Sequence, residues 1–310
     1  MKTKTAFIAV IGRANVGKSS FINRVVGNKV AIVSDKPQTT RTRIMGVKNF
    51  EDDKSDTQIV FIDTPGFHKP KNVLGEQMVK ATENGLFDVD GVLLMVDAAP
   101  EFKFSKDNIP PAETELIKAL KKRNLKCILA LNKIDKLQDK SSLLEMIAAY
   151  SELYNFSAIH PISVSTGNGI EEISKDLISF AKEGPHYFPK DVYSDQPDKV
   201  MVAELIREKI LRLYEKEIPH GTAVEIERFY ERDTKEGEPI LMVEAVVYCE
   251  KESHKGIIIG KGGAALKKVG TLARKDIEKF FGMKVSLKLW IKVKEDWRNR
   301  KGIIHSLGLD

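Results

Sequence analysis

The stretch Gly12-Arg-Ala-Asn-Val-Gly17-Lys18-Ser19 directly follows an apolar run at residues 7–11 and opens a segment with helical periodicity. A glycine loop between a strand and a helix is the setting in which backbone N–H groups wrap phosphates at a helix N-terminus. In such a loop Lys18 reaches the phosphates and the Ser19 hydroxyl can ligate Mg²⁺. The spacing alone also arises by chance, so it predicts a phosphate-binding loop only together with further motifs.

Short apolar runs alternate with helical segments throughout the first part of the chain. The runs are residues 7–11, 59–62, 92–96, 127–131 and 159–162. Continuous apolar runs of this length are typical of parallel strands buried on both faces of a sheet. They predict an α/β domain over residues 1–183 with a doubly wound, mostly parallel sheet.

Two more motifs follow strand ends and complete a nucleotide site. Asp63-Thr-Pro-Gly66 places a carboxylate where it can approach Mg²⁺, with the Gly66 N–H able to sense the terminal phosphate. Asn132-Lys133-Ile-Asp135 places a carboxylate that can accept from the two donors of guanine, which adenine lacks. Ser163-Val-Ser165, after the last run, is a degenerate form of the loop that backs the base. Three ordered motifs predict a guanine-nucleotide site.

The C-terminal part carries a different pattern. Residues 184–197 hold three prolines without sustained periodicity, which predicts a linker, and residues 198–310 form a second domain. There the order is helix, strand, strand, glycine loop, helix, strand. The Gly-Lys-Gly-Gly loop at 260–263 follows the apolar residues 257–259, which are taken as a strand, and the last strand has one apolar and one basic face. This order predicts an α+β type II KH domain, in which the loop clamps about four nucleotides of single-stranded RNA.

Charge supports the RNA assignment. The chain has a net charge of +6, yet residues 254–301 contain 14 Lys and Arg against four acids, so that segment carries +10 and the remainder about −4. The RNA-binding candidates are Ile257, Ile259, Gly260, Lys261, Gly262, Gly263, Lys267, Lys268 and Arg274, with Ile258 and Val269 as further apolar floor. Trp290, on the lysine-bearing face of its strand, either stacks on a base or packs under a helix.

The motifs together resemble those of the Era family, which belongs to the translation-factor-related GTPases. The resemblance covers essentially the whole chain and rests on residues 12–19, Gln38-Thr-Thr-Arg-Thr42, residues 63–66, residues 132–135, Glu183-Gly-Pro, Phe188-Pro-Lys-Asp191 and residues 260–263. Ala14, Ser20 and Ser163-Val-Ser165 depart from the usual family residues, but none of these changes removes a phosphate or base contact.

The resemblance implies a set of site residues. Nucleotide contacts are Gly12, Arg13, Ala14, Asn15, Val16, Gly17, Lys18, Ser19, Ser20, Asp63, Thr64, Pro65, Gly66, Asn132, Lys133, Asp135, Ser163, Val164 and Ser165. The catalytic group is Lys18, Thr40, Asp63 and Gly66, and the Mg²⁺ ligands are Ser19, Thr40 and Asp63, with Thr39 as the alternative to Thr40.

Three positions bear on the rate of hydrolysis. Phe67 stands where Ras-like enzymes have a glutamine that orients water, so intrinsic hydrolysis is expected to be slow. Asn15 either helps to hold K⁺ beside the phosphates or stabilises the loop through its amide. His68 reads as an exposed loop histidine rather than a catalytic base.

The resemblance also implies the biological setting: a GTPase that binds GTP, GDP and Mg²⁺, holds the 3′ end of 16S rRNA and acts in maturation of the 30S subunit. It implies peripheral contact at the inner membrane. We also expect a monomer, with the cytoplasm as the default location. No apolar stretch approaches the roughly 18 residues of a membrane span. Cys127 and Cys249 read as buried, inert thiols.

Two other functions compete with a GTP-dependent switch. A constitutive RNA-binding protein with a structural nucleotide site is disfavoured by the intact set Lys18, Ser19, Thr40 and Asp63. A kinase acting on a small substrate is disfavoured by Asn132 and Asp135, because kinases need no guanine-specific carboxylate.

Overall fold

The computed structural model describes residues 2–53, 55–67, 70–100, 104–139 and 141–309. The chain forms two compact units. The first comprises Met1–Ala31, Thr40–Lys69 and Met78–Asp195, and the second comprises Ile32–Thr39, Pro70–Gln77 and Gln196–Asp310.

The first unit is built on one sheet with the strand order β2-β3-β1-β4-β5-β6. Its strands are β1 Lys2–Ile11, β2 Ile44–Glu51, β3 Ser55–Asp63, β4 Gly91–Asp97, β5 Cys127–Asn132, β6 Ala158–Pro161 and the short β7 Lys182–Glu183. All pairings are parallel except β2 with β3 and β7 with β1. The predicted doubly wound domain is confirmed. Sequence periodicity did not indicate β2, whose Lys48-Asn49 interrupts the apolar pattern.

Helices cover both faces of this sheet. They are α1 Lys18–Val26, α2 Val73–Asn84, α3 Pro111–Arg123, α4 Ser141–Leu153 and α5 Ile170–Ile178; α2 begins in the second unit and ends in the first. The central strands alternate their side chains between two apolar clusters, one packed with α1 and α5 and the other with α3 and α4. Cys127 belongs to the second cluster and is fully buried, and burial raises the pKa of its thiol. Its prediction as an inert thiol agrees with this setting.

Residues 184–197, predicted to be a linker, are ordered, and their last part lies along the edge of β2. Ser194 forms an antiparallel bridge with Gly46, and the N–H of Val47 donates to the carbonyl of Tyr193 at 2.9 Å. The buried amide of Gln58 donates to the Phe188 carbonyl at 2.9 Å. The backbone bonds of residues 193 and 194 satisfy part of the open edge of β2, and the Gln58 bond holds Phe188, so the proline-containing stretch is fixed to the first unit up to Asp195.

The second unit has a three-stranded mixed sheet in the order β10-β9-β8. Its elements are α6 Asp198–Leu213, β8 Ala223–Asp233, β9 Pro239–Cys249, α7 Glu252–Ile259, α8 Ala264–Phe281, β10 Lys284–Val293 and α9 Lys301–Ser306. β10 pairs parallel with β9, and β8 pairs antiparallel with it. This is the predicted type II KH fold. Cys249, at the end of β9, is buried as expected.

One predicted element is wrong. The apolar run at residues 256–259 is the end of helix α7 and not a strand. Three consecutive isoleucines favour a strand by local preference, but only Ile258 is buried in the core, and its carbonyl accepts a hydrogen bond from Tyr214 at 2.8 Å. A run this short does not distinguish a strand from a helix, so tertiary packing decides.

Residues 32–39 belong to the second unit because they are fastened to α6. The N–H of Val33 donates to Glu208 Oε1 at 3.1 Å, and Arg212 donates to the Val33 carbonyl at 3.0 Å. At the other end of the segment, Arg207 donates to the carbonyl of Thr39. Arg207 and Glu208 are both buried, so these polar bonds replace the water that the two side chains have lost.

Candidate functional site

The phosphate loop sits between β1 and α1, and its glycines are required by close packing. Gly17 has φ 102°, and a Cβ there would lie 2.4 Å from Asn132 Nδ2. No L-side chain fits at that distance in this backbone region. The same Asn132 amide donates to the Val16 carbonyl at 2.8 Å, so the last residue of β5 holds the loop from behind.

Lys18 is turned into the loop. Its Nζ donates to the carbonyls of Arg13 at 3.0 Å and Gly12 at 3.3 Å. Burial lowers its pKa from 10.5 to about 8, against the attraction of Asp63. An ammonium held by two carbonyls and short of solvent is ready to exchange these partners for phosphate oxygens.

Three side chains converge beside Lys18 in the arrangement expected for Mg²⁺. The Ser19 hydroxyl donates to Asp63 Oδ2 at 2.6 Å, and the Thr40 hydroxyl lies 3.0 Å from Ser19 Oγ and 3.3 Å from Asp63 Oδ2. Asp63 is fully buried, its Oδ1 has no hydrogen-bond partner, and burial raises its pKa. A buried carboxylate oxygen without a partner beside two hydroxyls fits a hard cation. Thr39 takes no part, since its hydroxyl donates to Lys36.

The segment after Asp63 is held by its backbone. Thr64 turns its hydroxyl away to the Val10 carbonyl at 2.9 Å, and the carbonyl of Pro65 accepts from Thr82 at 3.0 Å. A Cβ on Gly66 would lie 2.7 Å from the Ala14 Cα, so this glycine packs directly on the phosphate loop. The N–H of Phe67 donates to Gly12 at 3.2 Å. His68 lies outside the described residues.

The base site is an exposed carboxylate held by two serines. Ser163 Oγ donates to Asp135 Oδ1 at 2.6 Å and Ser165 Oγ to Oδ2 at 3.0 Å. The Ser163 bond is the main cause of a pKa of Asp135 below its usual value. The backbone N–H of Val164 donates to Asn132 at 3.0 Å, and Lys133 pairs with Asp97 at 2.5 Å. Asp135 is therefore ionised and oriented toward solvent.

Two supporting residues were not identified from sequence. Arg24, in the last turn of α1, donates to the carbonyls of Val164 at 3.0 Å and Thr166 at 3.1 Å and so holds the base loop. Glu113, on α3, accepts from Arg13 at 2.5 Å. A basic residue at a helix C-terminus and an acidic one in a first turn are ordinary features, so neither carries a sequence signal.

In the second unit, an open cleft of about 630 Å³ lies between α8 and β10. Its lining is Ile240, Gly263, Leu266, Lys267, Gly270, Thr271, Arg274, Val285, Ser286, Leu287 and Leu289. The glycine loop stands at one end, where Gly260, Gly262 and Gly263 have positive φ and a Cβ on Gly262 would meet nothing within 4 Å. An apolar floor with a basic rim and an open glycine backbone suits a single strand of nucleic acid.

The predicted RNA residues divide into two groups. Gly263, Lys267 and Arg274 line the cleft. The other six lie outside its lining: Ile257, which is 54% exposed, Ile259, Gly260, Lys261, Gly262 and Lys268. The proposed floor residues Ile258 and Val269 are wrong, because both are fully buried in the core beneath the cleft. The apolar floor comes instead from Leu266 and β10. Trp290 is 42% exposed, which argues against the alternative that it packs under a helix.

Comparison with known proteins matches the two parts of the chain to two different families. A family described as "50S ribosome-binding GTPase" matches residues 7–133, and a KH domain family matches residues 217–298. The GTPase Era of Alkaliphilus metalliredigens is 47% identical over 310 residues, covering 100% of both chains. That of Clostridioides difficile is 47% identical over 305 residues, covering 98% of each.

Solved structures agree over the full length. Era of Aquifex aeolicus bound to GDP and aluminium fluoride is 34% identical, with a TM-score of 0.89 over 100% of this chain and 99% of that one. Era in complex with MgGDPNP and nucleotides 1506–1542 of 16S ribosomal RNA is 34% identical, with a TM-score of 0.90 over 99% of each chain. With full-length relatives at this identity and both domains in place, the chain belongs to the Era family of GTPases.

Proposed function

We propose that this protein hydrolyses GTP slowly with Mg²⁺ and holds the 3′ end of 16S rRNA in its KH cleft during maturation of the 30S subunit. The observation that carries the nucleotide part is the solvent-facing Asp135 carboxylate, held at both oxygens by Ser163 and Ser165. Guanine presents two donors to such a carboxylate, whereas adenine presents an acceptor there and is rejected.

Each residue of the first unit has a defined task in this proposal. Lys18 binds the phosphates, and Ser19, Thr40 and Asp63 would hold Mg²⁺, which supplies positive charge to the oxygens that become negative during phosphoryl transfer. The Gly66 N–H would donate to the terminal phosphate. Phe67 cannot orient water, which supports slow intrinsic turnover.

Isothermal titration with GTP and ATP tests the nucleotide assignment. We expect tight binding of GTP and GDP in the presence of Mg²⁺ and at least a hundredfold weaker binding of ATP, as for other sites that reject a ligand by leaving a buried or oriented polar group unpaired. Equal affinity for ATP and GTP would show that Asp135 does not read guanine.

The RNA part rests on the cleft between α8 and β10 and on the similar Era whose complex contains nucleotides 1506–1542 of 16S rRNA. In this proposal Lys267 and Arg274 contact the backbone phosphates, and the leucines of the floor contact the bases. Fluorescence anisotropy with an oligonucleotide from that 3′ end, against one of scrambled sequence at the same salt concentration, tests it. Equal affinities for the two would contradict recognition of the 3′ end.

We also propose that Asn15 holds K⁺ beside the phosphates, which would supply charge in the absence of a water-orienting glutamine. Asn15 is exposed on the loop and has φ 64°. Hydrolysis should be faster in potassium than in sodium buffer, and Asn15→Ala should remove that difference. Equal wild-type rates in both salts would contradict a K⁺ site.

The remaining proposal concerns state and location. None of the helices in the described part of the chain combines the length and apolar character needed to cross a membrane. We propose a monomer that works in the cytoplasm and contacts the cell membrane peripherally through its basic KH domain. Fractionation of cells at low and high salt tests this, because a contact of that kind is released by salt.

A further inference from the structure

A fully buried carboxylate lies under the phosphate loop. Glu113, in the first turn of α3, is 0% exposed and accepts a hydrogen bond from Arg13 Nε at 2.5 Å. Its second oxygen accepts from the hydroxyl of Tyr150 on α4. Burial raises the pKa of Glu113, and the Tyr150 hydroxyl and the Arg13 charge oppose that effect. The desolvation of a buried ion pair can cost more free energy than the pairing returns, so the Arg13–Glu113 pair is weak evidence for a role in stability alone.

Arg13 connects this carboxylate to the reacting end of the nucleotide site. Its side chain points away from the loop to Glu113, whereas its main-chain carbonyl accepts from Lys18 Nζ at 3.0 Å. The backbone of Arg13 also forms a parallel bridge with Phe67, where the Phe67 N–H donates to Gly12 at 3.2 Å. One residue thus contacts the phosphate-binding lysine and the segment that follows Gly66.

We propose that Glu113 is a positioning residue for GTP hydrolysis, which acts through Arg13 to set the place of the Gly12-Arg13 backbone relative to Lys18 and Phe67. Glu113 does not touch the nucleotide. The proposal rests on the proposed GTPase function, and it adds a residue on α3 that determines how well the phosphate loop and the segment after Gly66 are aligned for phosphoryl transfer.

The geometry separates this role from simple core packing. If Glu113 were purely structural, losing its bond to Arg13 or its bond to Tyr150 would have the same effect, and only the free energy of unfolding would change. If Glu113 is a positioning residue, the bond to Arg13 is the one that counts. Its loss then lowers the rate constant of the chemical step and leaves guanine recognition at Asp135 unchanged. Misplacing a catalytic backbone by about 1 Å can lower a rate constant by up to about a hundredfold.

The test uses Glu113→Gln, Arg13→Gln and the double variant in the full chain. We expect each single variant to lower kcat by about ten- to a hundredfold, with GTP affinity changed by less than about threefold. The double variant should be no slower than the slower single one, because both substitutions interrupt the same interaction. GTP affinity is measured by titration, kcat by phosphate release, and Tm by calorimetry.

Tyr154→Phe is the matched control. Tyr154 lies on the same side of the sheet, and its hydroxyl donates to the Leu125 carbonyl, so the substitution removes a polar bond there without touching Arg13. It should lower Tm with unchanged kcat. If Glu113→Gln unfolds the protein, Arg13→Gln alone tests the same interaction. The Arg13 side chain is 29% exposed, so its substitution disturbs the core less.

Two results would overturn the proposal: Glu113→Gln or Arg13→Gln with wild-type kcat, or a double variant whose loss is the product of the two single losses. The failure of the proposed function itself would look different, because wild-type protein would then bind no GTP or release no phosphate.

Discussion

Ser163 Oγ donates to Asp135 Oδ1 at 2.6 Å, although the two residues stand 28 positions apart. The bond joins the segments that follow β5 and β6, and with Ser165 it orients both carboxylate oxygens before any base is bound. Pre-orientation reduces the entropy lost on binding, so the guanine site is formed by two loops that each fix the other.

Replacing the carboxylate by an amide should therefore change the base that is bound. Asp135→Asn offers guanine a donor where it needs an acceptor, so GTP affinity should fall by at least about a hundredfold. Xanthine carries an oxygen in place of the guanine amino group and should gain affinity. Titration with GTP and xanthosine triphosphate measures both, and a variant that retains GTP affinity would contradict the role of Asp135.

The buried charge of Lys18 should lower the free energy of unfolding of the nucleotide-free protein. Its folded pKa of about 8 lies below the 10.5 of the unfolded chain, a difference that corresponds to about 3 kcal/mol. The native state therefore buries an unfavourable charge below pH 8, and that cost is relieved as the pH rises from 8 to 10.5.

Lys18→Met keeps the volume and removes the charge, so it should abolish GTP binding and raise the Tm of nucleotide-free protein at pH 7 by roughly 2–8 °C. The gain should shrink at pH 10. Thermal unfolding at the two pH values measures it, and an equal gain at both would show that the buried charge is not the cause.

RNA binding by the glycine loop of the KH domain should be weakened by a negative side chain at Gly262, although the loop has room for one. Gly262 has φ 59° and open surroundings, so Gly262→Asp causes backbone strain of about 1 kcal/mol and brings a negative group to the RNA backbone. We expect loss of single-stranded RNA binding with unchanged GTP affinity, measured by anisotropy and titration.

Gly282→Asp is the matched control for that prediction. Gly282 has φ 68°, equally open surroundings, and lies at the far end of α8, about 27 Å along the helix from the loop. It introduces the same charge and strain but should leave RNA affinity nearly unchanged. Equal losses for both variants would indicate a general charge effect instead of a clamp at Gly262.

We expect nucleotide binding to affect RNA affinity through the chain at residues 39 and 40. Arg207 donates to the carbonyl of Thr39 within the second unit, and the next residue, Thr40, lies beside Ser19 and Asp63 in the first. We expect RNA affinity to differ between the GDP and GTP-analogue states, and Arg207→Met to reduce that difference, because it releases the segment that ends at Thr39.

The control for Arg207→Met is Arg228→Met, which removes an equal charge from the exposed surface of β8. Its RNA affinities should keep the wild-type ratio between the two nucleotide states. If wild-type protein binds RNA equally in both states, the constitutive RNA-binding alternative is favoured and residues 39–40 carry no signal.

Sequence alone determined the two domains, the order of the nucleotide motifs and the choice of guanine. These features rest on local patterns: several apolar runs that alternate with helical segments predict a buried parallel sheet, and a glycine loop that opens a helix binds phosphate through its own backbone. The basic composition of residues 254–301 and the Gly260–Gly263 loop were sufficient for a KH domain in the same way.

Tertiary structure alone decided the contacts that hold these motifs together. Asn132 reaches Val16 across 116 positions and Glu113 reaches Arg13 across 100. Local preference also failed at residues 256–259, where isoleucines that favour a strand end a helix. Partners for buried polar groups are set by which segments the fold brings within about 3 Å, and neither periodicity nor spacing carries that information.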